Sequence, residues 1–90
     1  MDIQVKSVDG KTVVGLSGQI DSTASKEFEE RLVGIIDQGI NSMVVDFSQV
    51  KFISSAGLRV LLLAAKKVKP YGGKVVLSNL AKDVREVFDI

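Results

Sequence analysis

The chain has 90 residues, of which 46% are hydrophobic and 26% charged, with a formal net charge of +1. That is the composition of one soluble globular domain over residues 1–90, and a balance so near neutral argues against nucleic acid as the main partner. With no cysteine and no histidine, disulfides, thiolate metal sites, cysteine nucleophiles and a Ser-His-Asp triad are excluded.

Ile3 to Val8 alternates apolar and polar residues and predicts a strand. Asp9-Gly10 suits the two positive φ angles of a type I′ hairpin, and Thr12 to Leu16 predicts the returning strand, ended by Gly18. Asp21 or Ser22 can cap a helix that carries Phe28, Leu32, Ile35 and Ile36 on one face and stops at Gly39. Met43 to Phe47 predicts a short buried strand closed by Asp46, Ser48 and Gln49, with Val50 to Ile53 as a brief extended connection.

Ser54-Ser55-Ala56-Gly57 opens a second predicted helix with Leu58, Leu61, Leu62, Ala65 and Val68, stopped by Pro70, Gly72 and Gly73. Val75 to Leu77 predicts another buried strand. Ser78 and Asn79 offer caps for a last helix with Val84, Val87 and Phe88 on one face. The order β-β-α-β-α-β-α predicts an α/β domain. Its mixed sheet has an antiparallel edge hairpin and helices packed on it.

Right-handed crossovers set the helix starts near the carboxyl ends of the preceding strands. Asp21, the pair Asp46 and Ser48, and the pair Ser54 and Ser55 are all expected at that rim. The second helix start is the most informative. Its first N–H groups lack intrahelical partners and carry a partial positive charge, so they favour an anion on either serine. Arg59 lies one turn on from Ser55. Gly57 leaves room for an approaching protein, at a cost to the helix of ~1 kcal/mol relative to alanine. Spacing alone favours the plainer reading, that Ser54 or Ser55 is simply an N-cap. Residues 46–90 carry eight Lys/Arg against four Asp/Glu. Lys66, Lys67 and Lys69 complement the negative end of the second helix.

The run Asp46-Phe47-Ser48-Gln49-Val50-Lys51-Phe52-Ile53-Ser54-Ser55-Ala56-Gly57-Leu58 strongly resembles the signature of the STAS domain of bacterial anti-sigma factor antagonists. Gly18-Gln19-Ile20-Asp21, Gly72-Gly73-Lys74 and Val84-Arg85-Glu86-Val87-Phe88 match the family further, so the resemblance covers the whole chain. It implies a non-enzymatic switch protein. The unphosphorylated antagonist binds an anti-sigma factor that is a serine kinase and releases the sigma factor; a serine phosphatase reverses the modification. The matching acceptor is Ser55, with Ser54, which replaces a common family aspartate, as the alternative. Asp21 and Asp46 match family positions for kinase contact or site geometry, and with Ser54, Gly57 and Arg59 of the helix start they are the expected partner-binding residues. Family members usually continue with a further strand and helix, so this sequence is either a truncated or a short member; a missing strand would expose a sheet edge, which invites homodimerisation or strand exchange.

Rival readings are weaker. Ser48-Gln49-Val50-Lys51 has the S-x-x-K spacing of serine acyl enzymes but lacks the accompanying triplets. No phosphate-binding glycine motif supports a nucleotide cofactor. The longest apolar run, Val60 to Ala65, falls far short of the ~20 residues that span a bilayer, and the N-terminus has no signal-peptide pattern. A cytoplasmic protein without a membrane partner is expected. The same family also supplies scaffolds of stress-sensing and lipid-transport assemblies, and this is the alternative function.

Overall fold

The computed structural model describes residues 1–82, 84 and 85. Its elements are β1 (Asp2–Val8), β2 (Lys11–Ile20), α1 (Ala24–Asp37), β3 (Ser42–Ile53), α2 (Ser55–Val68) and β4 (Lys74–Ser78). The sheet order is β1-β2-β3-β4; β1 runs antiparallel to β2, and the other two pairings are parallel. Because β2, β3 and β4 step across the sheet in one direction, right-handed crossovers bring α1 and α2 to the same face. Val14, Leu16, Met43, Val45 and Phe47 of the strands are buried there with Phe28 and Leu32 of α1 and Val60, Leu61 and Val68 of α2. Side chains alternate along a strand, so Val13, Gly15, Val44 and Asp46 belong to the opposite sheet face.

The hairpin is as expected. Asp9 and Gly10 have φ of +51° and +79°, which a two-residue type I′ turn demands, and Val8 faces Lys11 across it. In α1, Phe28, Leu32, Ile35 and Ile36 are buried, and the Gly39 N–H closes the helix on the Ile36 carbonyl at 2.9 Å.

Three expectations are corrected. First, β2 does not end at Gly18 but runs to Ile20, its register with β3 shifting on either side of Ser17-Gly18. Second, the short strand at Met43–Phe47 and the connection at Val50–Ile53 are one strand of 12 residues. Gln49 pairs with Ser17, Val50 with Gly18 and Ile53 with Ile20, so the ladder is irregular at Phe47-Ser48, which face Leu16 alone, and again at Lys51, and Asp46 stands mid-strand. The buried positions Phe47, Val50 and Ile53 are three apart, a spacing that hides a strand from a period-two reading. Third, α2 buries Gly57, Val60, Leu61, Ala64 and Val68, while Leu62 and Ala65 face solvent and Leu58 is half-buried.

Among the described residues the order is β-β-α-β-α-β, with two α-helices where three were expected. Lys82, Val84 and Arg85 have helical backbone, and Val84 is buried. Val87 and Phe88, which carry the expected third helix, lie outside the described residues. No described helix is long and apolar enough to cross a membrane.

Candidate functional site: the serine joint between β3 and α2

β3 passes into α2 without a loop. The Ser54 N–H donates to the Ile20 carbonyl at 2.8 Å, adding one more bond to the β2–β3 ladder. Ser54 itself is extended, with φ −80° and ψ 166°. Its hydroxyl oxygen accepts the Gly57 N–H at 3.1 Å, and its carbonyl accepts the Leu58 N–H at 3.0 Å. Ser54 is therefore the N-cap of α2.

Ser55 is the first residue of the helix. It is exposed, and its hydroxyl has no hydrogen-bond partner among the described residues. The N–H groups of Ser55 and Ala56 precede any helical acceptor. No acidic side chain occupies the first turn, so nothing there offsets the positive helix end.

Asp21 follows Ile20 directly, so the Ile20–Ser54 bond brings it to the same end of the sheet as the two serines. The Asp21 Oδ1 accepts the Ala24 N–H at 2.8 Å, and its carbonyl accepts the Ser25 N–H at 3.0 Å. The carboxylate thus tethers the entry to α1, whose first helical residue is Ala24, while Asp21 stays exposed. Arg59 is exposed on the same helical face as Ser55, one turn on, and has no ion pair among the described residues.

Asp46 does not join this group. At ~3.3 Å per residue, the strand between Asp46 and Ile53 separates it from the serines by roughly 20 Å. It sits on the helix-free sheet face opposite Gly15 and Ser78. Its Oδ1 accepts from Ser48 N–H at 2.9 Å and from the Asn79 amide at 3.0 Å. The Asn79 bond first, then the Ser48 backbone bond, hold its carboxyl below the ordinary value of 3.8, against the opposing effect of partial burial.

Gly57 also differs from its expected role. It is buried, and a Cβ there would come within 2.7 Å of Ile20 Cγ2 and 2.9 Å of Ile53 Cγ1. The missing side chain lets α2 settle on the strand ends, inward from any partner.

Three exposed apolar residues near the joint were not singled out as candidates from sequence: Phe52, Leu62 and Leu63. A signal exists for the last two. Leu61, Leu62 and Leu63 are consecutive, and at 100° per residue they cannot all face one core. Among the described residues no group of three or more Asp, Glu, His or Cys could hold a metal ion.

Residues 2–90 match the model of the STAS domain. The chain belongs to the STAS family. This STAS domain is 38% identical over 90 residues to BtrV of Bordetella bronchiseptica, covering 100% of this chain and 78% of that protein. It is 30% identical over 90 residues to the anti-sigma-B factor antagonist of Bacillus subtilis, covering 100% of this chain and 82% of that protein. Its fold matches the phosphorylated form of the Bacillus cell fate determinant SpoIIAA with a TM-score of 0.79 at 22% identity, covering 98% and 81% of the two chains. The full-length relatives group this STAS domain with the anti-sigma factor antagonists, which are regulators and not enzymes.

Proposed function

We propose that this STAS domain is a cytoplasmic anti-sigma factor antagonist switched by phosphorylation of Ser55. With Ser55 unmodified it binds an anti-sigma factor serine kinase and frees the sigma factor. The kinase moves the γ-phosphoryl group of ATP to the Ser55 oxygen, releasing ADP and the hydroxyl proton, and binding ends. A serine phosphatase hydrolyses the ester and resets the switch.

The observation that carries the site assignment is the unequal use of two adjacent hydroxyls. The Ser54 oxygen holds the Gly57 N–H, whereas Ser55 is exposed and its hydroxyl unbonded among the described residues. A kinase can take up the second without dismantling the helix start. The phosphate adds roughly −1.5 to −2 charges at neutral pH. The free N–H groups and the helix dipole favour that charge, so the fold survives it. Its effect falls on the partner, whose surface fits a neutral hydroxyl and meets a bulky dianion instead. Asp21, Ser54 and Arg59 border the acceptor and form the contact surface. Asp46 serves the geometry of the sheet and the β4 exit.

The test is phosphorylation by the cognate anti-sigma kinase, with the modified residue mapped by mass spectrometry and affinities measured alongside. Wild type and Ser54→Ala should accept phosphate; Ser55→Ala should not, and should stay competent to bind. Phosphate on Ser54 in the Ser55→Ala protein moves the site by one residue. No phosphate on either serine turns the reading to a non-switching scaffold of the same family.

A further inference from the structure

We propose that the outward face of α2 is a docking strip for an acidic, amphipathic helix of a partner protein. Arg59, Leu62, Leu63 and Lys66 stand at i, i+3, i+4 and i+7 and share one face of the helix. Lys69 continues that face into the short 3-10 turn after α2. This stripe is distinct from the buried one, which runs through Gly57, Val60, Leu61, Ala64 and Val68. Leu62 is 58% exposed and Leu63 38% exposed. They lie between Arg59, Lys66 and Lys69 on the open outward surface of the helix, with Ala65 beside them.

Charge names the occupant. From Ser55 to Tyr71 there are four cations, Arg59, Lys66, Lys67 and Lys69, and no acidic residue. The adjacent helix α1 exposes Glu27, Glu29, Glu30 and Asp37 against Lys26 and Arg31, so it is net negative where α2 is wholly positive. Two exposed leucines between cations on a rigid helix fit an element that brings aliphatic side chains flanked by carboxylates. An anionic membrane is the poorer match. The opposite side of α2 is fixed in the core, and the strip offers no aromatic side chain to sink into a headgroup layer.

The strip also gives the switch a physical basis, and to that extent the inference rests on the antagonist reading above. Ser55 lies on this face four residues before Arg59. A dianion there would oppose an acidic partner helix along its whole approach.

The experiment titrates the isotope-labelled domain, followed by amide NMR, with two synthetic helical peptides of about 20 residues, long enough to hold a helix. One has leucine at i, i+3, i+4 and i+7 with glutamate elsewhere; the other has lysine in place of each glutamate. Vesicles of phosphatidylglycerol and phosphatidylcholine form a third arm. The glutamate peptide should shift the amides from Arg59 to Lys69 saturably, bind less tightly as salt rises, and bind at least tenfold tighter than the lysine peptide. Lys66→Glu and Leu62→Ser, both at exposed positions, should each weaken it roughly three- to tenfold. Shifts centred on another face, equal binding of the lysine peptide, no saturable shift, or a preference for vesicles would each overturn the proposal. No kinase enters this titration. A strip that binds while Ser55 takes no phosphate sinks only the switch, and the reverse result sinks only the strip.

Discussion

Ser54 and Ser55 are neighbours with opposite hydroxyl environments: the Ser54 oxygen accepts the Gly57 N–H at 3.1 Å, and the Ser55 hydroxyl has no partner among the described residues. The pair separates a structural serine from a chemically available one. Ser54→Ala should lower stability by ~1 kcal/mol through loss of the cap. Ser55→Ala should change it by less than ~0.5 kcal/mol. Urea unfolding of the two variants checks this, and equal losses would refute the division.

Gly57 is required by contact rather than by conformation. In Gly57→Ala, a methyl group presses on Ile20 and Ile53, two β-branched side chains in the core. Overpacking of ~1–3 kcal/mol should outweigh the ~1 kcal/mol that alanine returns in helix propensity. The expected result is a lower melting temperature, with Gly57→Val lower still. A more stable alanine variant would mean that the strand ends yield.

Asp46 makes the domain acid-sensitive. Its folded carboxyl, held by the Asn79 amide and the Ser48 N–H, gives up its proton more readily than the ordinary value of 3.8 implies. The unfolded chain therefore binds more protons in that window, and stability rises with pH through it. The contribution is complete above the unfolded value and disappears as pH falls through the lower folded one. Asp46→Asn should flatten this acid limb while leaving the Ser55 chemistry unchanged. Unfolding free energies measured between about pH 2 and 6 decide it; an unchanged slope would show that other carboxylates carry the limb.

Gly10→Val should destabilise the hairpin, because Gly10 holds φ +79° and a β-branched residue resists that region. The melting temperature should fall, and the amides of β1 should exchange faster than those of β3. Loss of protection spread evenly over all strands would place the turn in the cooperative core instead.

What was legible in the sequence followed simple periods. Phe28, Leu32, Ile35 and Ile36 repeat as a helix should and are buried as a stripe, and Asp9-Gly10 has the chemistry of the turn it makes. Departures from those periods hid the rest. β3 reads as two pieces because Phe47, Val50 and Ile53 are three apart across an irregular ladder, and Asp46, which then reads as a strand end, stands mid-strand. On α2, apolar character around most of the helix leaves its core stripe ambiguous in the sequence, so Leu62 reads as inward although it lies on the outward strip. The two serines were legible as a pair, but which one caps the helix depends on where the strand ends.

The loop-free passage from β3 to α2 has a mechanical consequence. The residue before Ser55 is bonded at once to the sheet, through Ile20, and to the helix, through Gly57 and Leu58. There is no hinge on which Ser55 could swing. The Ser54 amide should exchange as slowly as those of the central strands, in both charge states of the switch. Backbones of the two states should superpose, and a reporter of shape change attached elsewhere on the domain should stay silent. The message is written in charge on a fixed support, legible only to a molecule in contact with it.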